Sequence, residues 1–256
     1  MKRFIRISAI VCIAILIAAC NKESGSDIAS PSPGGGEGPG KGGSMAKFSI
    51  SGDHLFLINE KDLVIFDIQN EASPTEVGKL EVDFGIETVF TLKGRLFIGA
   101  NNGVYIYDVS NPSNILFLSH YEHITSCDPV VANDTLAFST LNAMSSCRWQ
   151  TGANQLDVID ISIIVDPRLI KSYPLQDPKG LALDGIYLFV CNGGGGLEIY
   201  DAHNPYDLYR ISGVTGINAY DVILNNNILI LIGQDGLFQY NYENIYQLEL
   251  LSNILF

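Results

Sequence analysis

The stretch Gly103-Val104-Tyr105-Ile106-Tyr107-Asp108-Val109-Ser110-Asn111-Pro112 decides the fold. Its first half is β-branched and aromatic, the composition of a strand covered on both faces. Its second half is punctuation: a carboxylate that accepts nearby backbone N–H groups, polar residues, then a proline that cannot continue a ladder. The phrase recurs, degenerately, five times. The strand copies are Leu63–Ile68, Val104–Val109, Leu156–Ile161, Leu197–Ala202 and Leu237–Tyr242. The acidic position is Asp67, Asp108, Asp160 and Asp201, with Asn241 in the last copy; Pro74, Pro112, Pro167 and Pro205 follow.

An apolar run precedes each copy, at Leu55–Ile58, Leu96–Ile98, Leu136–Ser139, Tyr187–Cys191 and Ile228–Ile232. Before each run stands a two-residue turn signal: Ser51-Gly52, Lys93-Gly94, Asn133-Asp134, Asp184-Gly185 and Asn225-Asn226. Gly, Asn and Asp dominate because hairpin turns need positive φ. The second turn residues are spaced 42, 40, 51 and 41 apart. A fourth strand closes each unit, as at Ile115–Tyr121. Strands this apolar need both sheet faces covered, and radial packing of four-stranded blades does that. The sequence therefore predicts an all-β protein, a β-propeller of five four-stranded blades from Met45 to about Leu251, closed into one ring. The evenly spaced carboxylates invite a metal-site reading, but each sits at the outer turn of its own blade, so no metal is expected. The His and Trp-Asp signatures of WD40 repeats are absent.

Taken together, Leu63-Val64-Ile65-Phe66-Asp67-Ile68, the Val104–Pro112 phrase, Leu156-Asp157-Val158-Ile159-Asp160-Ile161 and Leu197-Glu198-Ile199-Tyr200-Asp201-Ala202 resemble LVIVP repeats. The resemblance covers roughly residues 46–251. It implies a β-propeller-like domain of the sort found in many bacterial surface or periplasmic lipoproteins, and it implies no chemistry. Asn241-Tyr242-Glu243-Asn244-Ile245 departs from the pattern, lacking both Asp and Pro, as terminal repeats often do.

The N-terminal end carries a different signal. Lys2, Arg3 and Arg6 precede an apolar run of 13 residues, Ile7–Ala19. That run is shorter than the ~20 residues of a spanning helix and reads as a signal-peptide core. It ends in Ile17-Ala18-Ala19-Cys20, which resembles the lipobox of bacterial lipoproteins. Residues 1–20 are thus expected to be a lipoprotein signal peptide, with Cys20 the lipidated residue. One acyl chain holds a membrane marginally, and two or three hold it firmly. An ordinary cleaved signal peptide or a signal anchor is the alternative, but neither calls for cysteine at this place. Asn21, where Asp would favour inner-membrane retention in enteric bacteria, points to the outer membrane. Lys22-Glu23 loosely resembles the export tags of Bacteroidetes surface lipoproteins. Residues 21–44, rich in Gly, Ser and Pro with almost no apolar side chains, read as a flexible tether. Residues 45–256 form the propeller domain. The expected location is the cell envelope, as an outer-membrane lipoprotein on its periplasmic or surface face.

The chain has 15 basic against 28 acidic residues, net −13. Phosphate backbones repel such a surface, so nucleic acid is excluded as a partner. The expected partners are the membrane, through the lipid, and an envelope protein or a glycan. The third repeat is the long one, with its surplus around Asn142–Asn154, between its second and third strands. In a propeller that loop shares one end, the top, with the loops entering the innermost strands. The top would gather Asp83, Glu87, Asp177, the run Asn192–Gly196, and the candidate ligand-binding residues Asp128, Arg148, Trp149, Lys179 and Asp221. Trp149 is the only Trp, and Trp and Arg are enriched in binding hot spots. The competing reading is that these are solvated loop ends.

Other motifs carry less. The glycine run lacks the Lys-Ser/Thr of a P-loop and enters a strand, not a helix. His120 and His123, three apart on a strand, face opposite sides and cannot chelate together. No cofactor is implied. Cys127 and Cys147 flank a hairpin and are assigned to a disulfide; a Cys147–Cys191 bridge and three free thiols are the alternatives. The leading functional reading is a non-enzymatic binding scaffold. The alternative is a carbohydrate-active enzyme, which a buried carboxylate pair across the central channel would favour.

Overall fold

The structure is a computed structural model that describes residues 43–83, 85–123, 129–143 and 153–256. Among the described residues it is all-β, with twenty strands in five antiparallel sheets of four. Blade 1 comprises β1 (Phe48–Ser51), β2 (His54–Ile58), β3 (Asp62–Asp67) and β4 (Thr75–Glu81). Blade 2 comprises β5 (Ile86–Leu92), β6 (Arg95–Ala100), β7 (Gly103–Asp108) and β8 (Leu116–Glu122). Blade 3 comprises β9 (Val130–Ala132), β10 (Leu136–Leu141), β11 (Gln155–Asp160) and β12 (Arg168–Pro174). Blade 4 comprises β13 (Leu181–Asp184), β14 (Tyr187–Cys191), β15 (Leu197–Asp201) and β16 (Tyr209–Val214). Blade 5 comprises β17 (Ala219–Asn225), β18 (Ile228–Gly233), β19 (Gly236–Asn241) and β20 (Glu249–Leu255). Within each sheet the strands lie in chain order, and the first strand of each blade neighbours the first strand of the next, which places it innermost.

The repeated punctuation acts as the sequence implies. Asp67, Asp108, Asp160, Asp201 and Asn241 each accept the backbone N–H two residues on, at 2.8 Å in every blade. Asn241 needs no charge to do this, so the atypical fifth copy still makes a blade. The first hairpin turn of blade 2 falls on Lys93 and Gly94, both at positive φ. The turns of blades 1, 4 and 5 fall one residue later than expected, because the ladders pair Ser51 with His54, Asp184 with Tyr187, and Asn225 with Ile228. In blade 3 the turn also shifts, and the Asn133 side chain accepts the N–H groups of Thr135 and Leu136.

A second repeated device was not read from the sequence. In every blade the pairing of the third and fourth strands slips by one residue at the same place. The extra residue is Val77, Leu118, Ile170, Ile211 or Leu251. A bulge turns such a side chain off the ladder. The first four are packed against the apolar core shared with the following blade.

Four such interblade cores exist among the described residues, joining blades 1 and 2, 2 and 3, 3 and 4, and 4 and 5. Among the described residues none joins blade 5 to blade 1, so these five blades form an arc and do not make the closed ring expected from the sequence. Counting repeats gives the number of blades, but closure depends on the angle between neighbours, which side-chain packing sets.

Candidate functional site

The centre of the arc is occupied by the segment that leads into β1. Gly43–Ala46 lies across the inner strands, and Ser44, assigned to the tether from sequence, is buried there. Ser44 Oγ accepts the N–H of Leu181 at the head of β13 (2.7 Å) and donates to Asp221 Oδ1 on β17 (3.3 Å). The carbonyl of Ala46 accepts the N–H of Val89 on β5. This strap thus touches three of the inner strands. It continues into β1, where Ser49 and Thr91 hydroxyls meet at 2.9 Å.

Asp221 is the acidic pin of the strap. Its carboxylate accepts from the N–H groups of Val222 and Met45 as well as from Ser44, but burial dominates and pushes its pKa up to about 6. It is gripped between two glycines: a Cβ on Gly43 or Gly180 would overlap its oxygens. Of the candidate ligand-binding residues, Asp221 therefore holds the chain's own backbone instead of facing out as an acceptor.

Lys179 lies nearby at the top end. Its ammonium pairs with Asp177 (3.2 Å) and sits 4.2 Å from the centre of the Tyr220 ring. Asn142 donates to Asp177 Oδ1 and to the Pro178 carbonyl, while Asn192 accepts the N–H groups of Gln176 and Asp177. The Asn192–Gly196 run is the turn between β14 and β15, and the Gly193 carbonyl accepts Ala219 N–H of blade 5. Beneath this cluster Cys191 is a free, buried thiol, its pKa pushed well up by burial. Cys20, Cys127, Asp128, Cys147, Arg148 and Trp149 lie outside the described residues, so the lipidation site, the disulfide and the centre of the top loop have no structural account.

A second top-end cluster joins blades 1 and 2. Tyr105 donates to Asp83 (2.6 Å), Asn102 donates to Tyr105, and the His120 ring stacks on Tyr105 with centroids 4.0 Å apart. Burial lowers the His120 pKa. Among the described residues no group of three or more His, Cys, Asp or Glu side chains is arranged to hold a metal.

Below Ser44 the inner strands enclose a cavity of about 200 Å³. Phe90, Val131, Leu183 and Val222 make it apolar, and Asp184 and Tyr242 give it a polar rim. The Tyr242 hydroxyl donates to Asp184 (3.0 Å), and burial pushes its pKa to about 12. Asp157, a buried carboxylate, is not in this channel. It is held between blades 2 and 3 by Tyr121, Gln155 and Ser172. Among the described residues Asp221 is the carboxylate pinned at the top of the channel, and Asp184 lies on the rim of the cavity below.

The LVIVD repeat family model matches residues 42–82 and 94–123, which are blades 1 and most of 2. The chain is a repeat β-propeller protein. The matched residues hold the Leu63–Asp67 and Val104–Asp108 phrases on which the repeat resemblance rests. The propeller is similar to a functionally unknown protein from Desulfotomaculum acetoxidans, with TM-score 0.66 and 14% identity over 82% of this chain and 69% of that one. It is similar to a Lactobacillus plantarum protein (TM-score 0.61, 14% identity, 79% and 68% covered). It is also similar to a periplasmic gluconolactonase of Pseudomonas aeruginosa (TM-score 0.60, 13% identity, 80% and 68% covered). At these identities the likeness is one of fold. The propeller spans about two thirds of the length of each of these structures. No curated protein matches it.

Proposed function

We propose that this propeller is a non-enzymatic binding scaffold of the cell envelope, held at the outer membrane by lipid on Cys20 and presenting its top end to an envelope protein or a glycan. The observation that carries the reading is the state of the top-end charges. Lys179 is paired with Asp177 and Tyr220, and Asp221 is spent on the strap. These groups hold one another and the strap, which leaves recognition to other residues, and the sequence candidates for it are Asp128, Arg148 and Trp149. The anchor rests on the lipobox, and the tether gives the propeller reach from the bilayer.

Two experiments test this. Labelling with a fatty-acid probe marks the wild type and leaves Cys20→Ala unmarked; equal labelling removes the anchor. Titration of glycans and extracted envelope proteins against wild type and Trp149→Ala shows binding lost in the variant while its melting is unchanged. A ligand that binds both equally moves the working surface elsewhere. The fold likeness to a gluconolactonase puts sugar-derived ligands in the panel.

A second reading, a carbohydrate-active enzyme, draws on the raised pKa of Asp221, since a protonated carboxylic acid can serve as a general acid. Such hydrolysis ordinarily needs a second carboxylate across the bond. Turnover of a glycoside by the wild type and its loss in Asp221→Asn would establish that reading over the first.

A further inference from the structure

Below the strap the channel is walled by four inner strands, β5, β9, β13 and β17, and their side chains there are apolar: Phe90, Val131, Leu183, Val222 and Leu224. A water-filled channel is ordinarily lined by polar groups. A hollow of about 200 Å³ lined in this way instead takes apolar groups, as a cavity of ~150 Å³ between Leu, Ile and Phe takes benzene. A second cavity, of about 170 Å³, shares Phe90 and Leu183 on its wall. The roof includes Ser44, whose hydroxyl is already committed to Leu181 and Asp221. The polar groups of the rim lie at the other end, among the first hairpin turns of the blades. Asp184 closes β13, and Asn226 follows β17 at a positive φ of 48°. Tyr242 follows β19 and donates its hydroxyl to Asp184. Among the described residues that line the larger cavity, Asp184 alone carries a charge. Lys93, on the rim of the smaller one, is already paired with Asp134 at 2.8 Å.

We propose that this lower cavity binds a small organic amine, its compact apolar body between Phe90, Leu183 and Val222 and its ammonium at the rim on Asp184, Asn226 and Tyr242. The match is one of charge and of donors to acceptors. A primary ammonium brings only donors, three of them. The rim offers a carboxylate oxygen, the Asn226 amide oxygen and the lone pairs of the Tyr242 hydroxyl, whose own proton goes to Asp184. An anion would meet Asp184 with no free cation to offset it, and a neutral ligand would forgo the charge-assisted contact. Asp184 is exposed at the mouth, so the ammonium reaches it without giving up all of its water. The site is separate from the top end, because its polar groups come from the turns at the opposite end of the strands.

The full chain in lipid nanodiscs is titrated with phenethylamine and followed by calorimetry and by the methyl NMR signals of Leu183, Val222 and Leu224. Benzyl alcohol, a similar body without the charge, and phenylacetate, with the opposite charge, are the comparisons. Phenethylamine is expected to bind saturably, to shift those three sets of methyl signals, and to bind more tightly than either comparison. Asp184→Asn keeps the shape of the rim and an acceptor for Tyr242, and it should melt as the wild type does. It is expected to weaken phenethylamine by about fivefold or more and to leave benzyl alcohol unchanged. Ala182→Leu puts bulk into the cavity wall and is expected to weaken both. Should that variant not fold, the methyl shifts and Asp184→Asn still decide. Trp149→Ala is expected to bind phenethylamine as the wild type does, which separates this site from the proposed working surface. No saturable binding, shifts confined to other methyl groups, an Asp184→Asn variant that binds phenethylamine like the wild type, or phenylacetate bound as tightly as the amine would each overturn the proposal.

Discussion

Leu57 and Ile98 sit at the same position of two successive repeats, yet one is 38% exposed and the other has no exposed surface. Their sequences and hairpins are alike, and the ladders of blades 1 and 2 carry the same bulge. The difference is the neighbour: blade 2 has blade 1 behind it, and among the described residues no blade stands behind blade 1. Blade 5 repeats the lesson in the opposite direction, with Leu251 where Ile211 is packed. In a repeat fold each unit is only half of its own core, and stability comes from junctions more than from blades. The interior blades 2 to 4 and the terminal blades 1 and 5 should therefore answer differently to the same substitution.

The largest effect is expected at an interior junction. Phe138→Ala removes a fully buried ring between blades 3 and 4 and should cost about 3–5 kcal/mol. The equivalent Ile230→Ala on the open face of blade 5 should cost about half as much or less, because less area leaves water on folding. Urea titrations of both variants read this contrast, and equal losses would mean that blade 5 is covered after all.

Next comes the strap that fills the centre. The Asp221 pKa of about 6 lies above the ordinary value of 3.8, so the fold favours the protonated form. Its contribution is fully present below about pH 4 and is lost as pH rises through 6, by about 2–3 kcal/mol. Stability measured across that window should fall for the wild type, and this component of the fall should vanish in Asp221→Asn. An unchanged slope in the variant would place the titration in another group.

The turn caps should show a smaller effect that does not depend on the blade. Asp108→Ala should cost about 1 kcal/mol through the lost N–H acceptor, and Asp108→Asn close to nothing, since Asn241 performs the same task in blade 5. A large loss in Asp108→Asn would show that the charge matters. The smallest effect is expected at Leu57→Ser. Its side chain is exposed, so the change in the same urea titration should stay within about 0.5 kcal/mol.

Much of this was legible in the sequence. The Asp67, Asp108, Asp160, Asp201 and Asn241 series marked the end of every third strand, because turn chemistry is local and each residue accepts an N–H only two positions away. The hairpin turns were found to within a residue. The slip came from ladder register, which the pairing of flanking strands decides and the turn residues alone do not. The bulge residue was not legible, since Val77, Leu118, Ile170, Ile211 and Leu251 look like any strand residue until pairing leaves them over. Asp221 was picked out as a top-end acidic residue, but its partner, Ser44, lies 177 positions away in what read as tether.

The sequence by itself determined the period, the strands and the number of blades, because alternation and turn caps act over a few residues. Only the tertiary structure decided that the arc is open, that Gly43–Ala46 fills its centre, and that Asp221 is raised in pKa. Each of these depends on which surfaces meet across the whole chain. A residue's burial and charge are set by neighbours that may be a hundred positions away, and no local pattern encodes them.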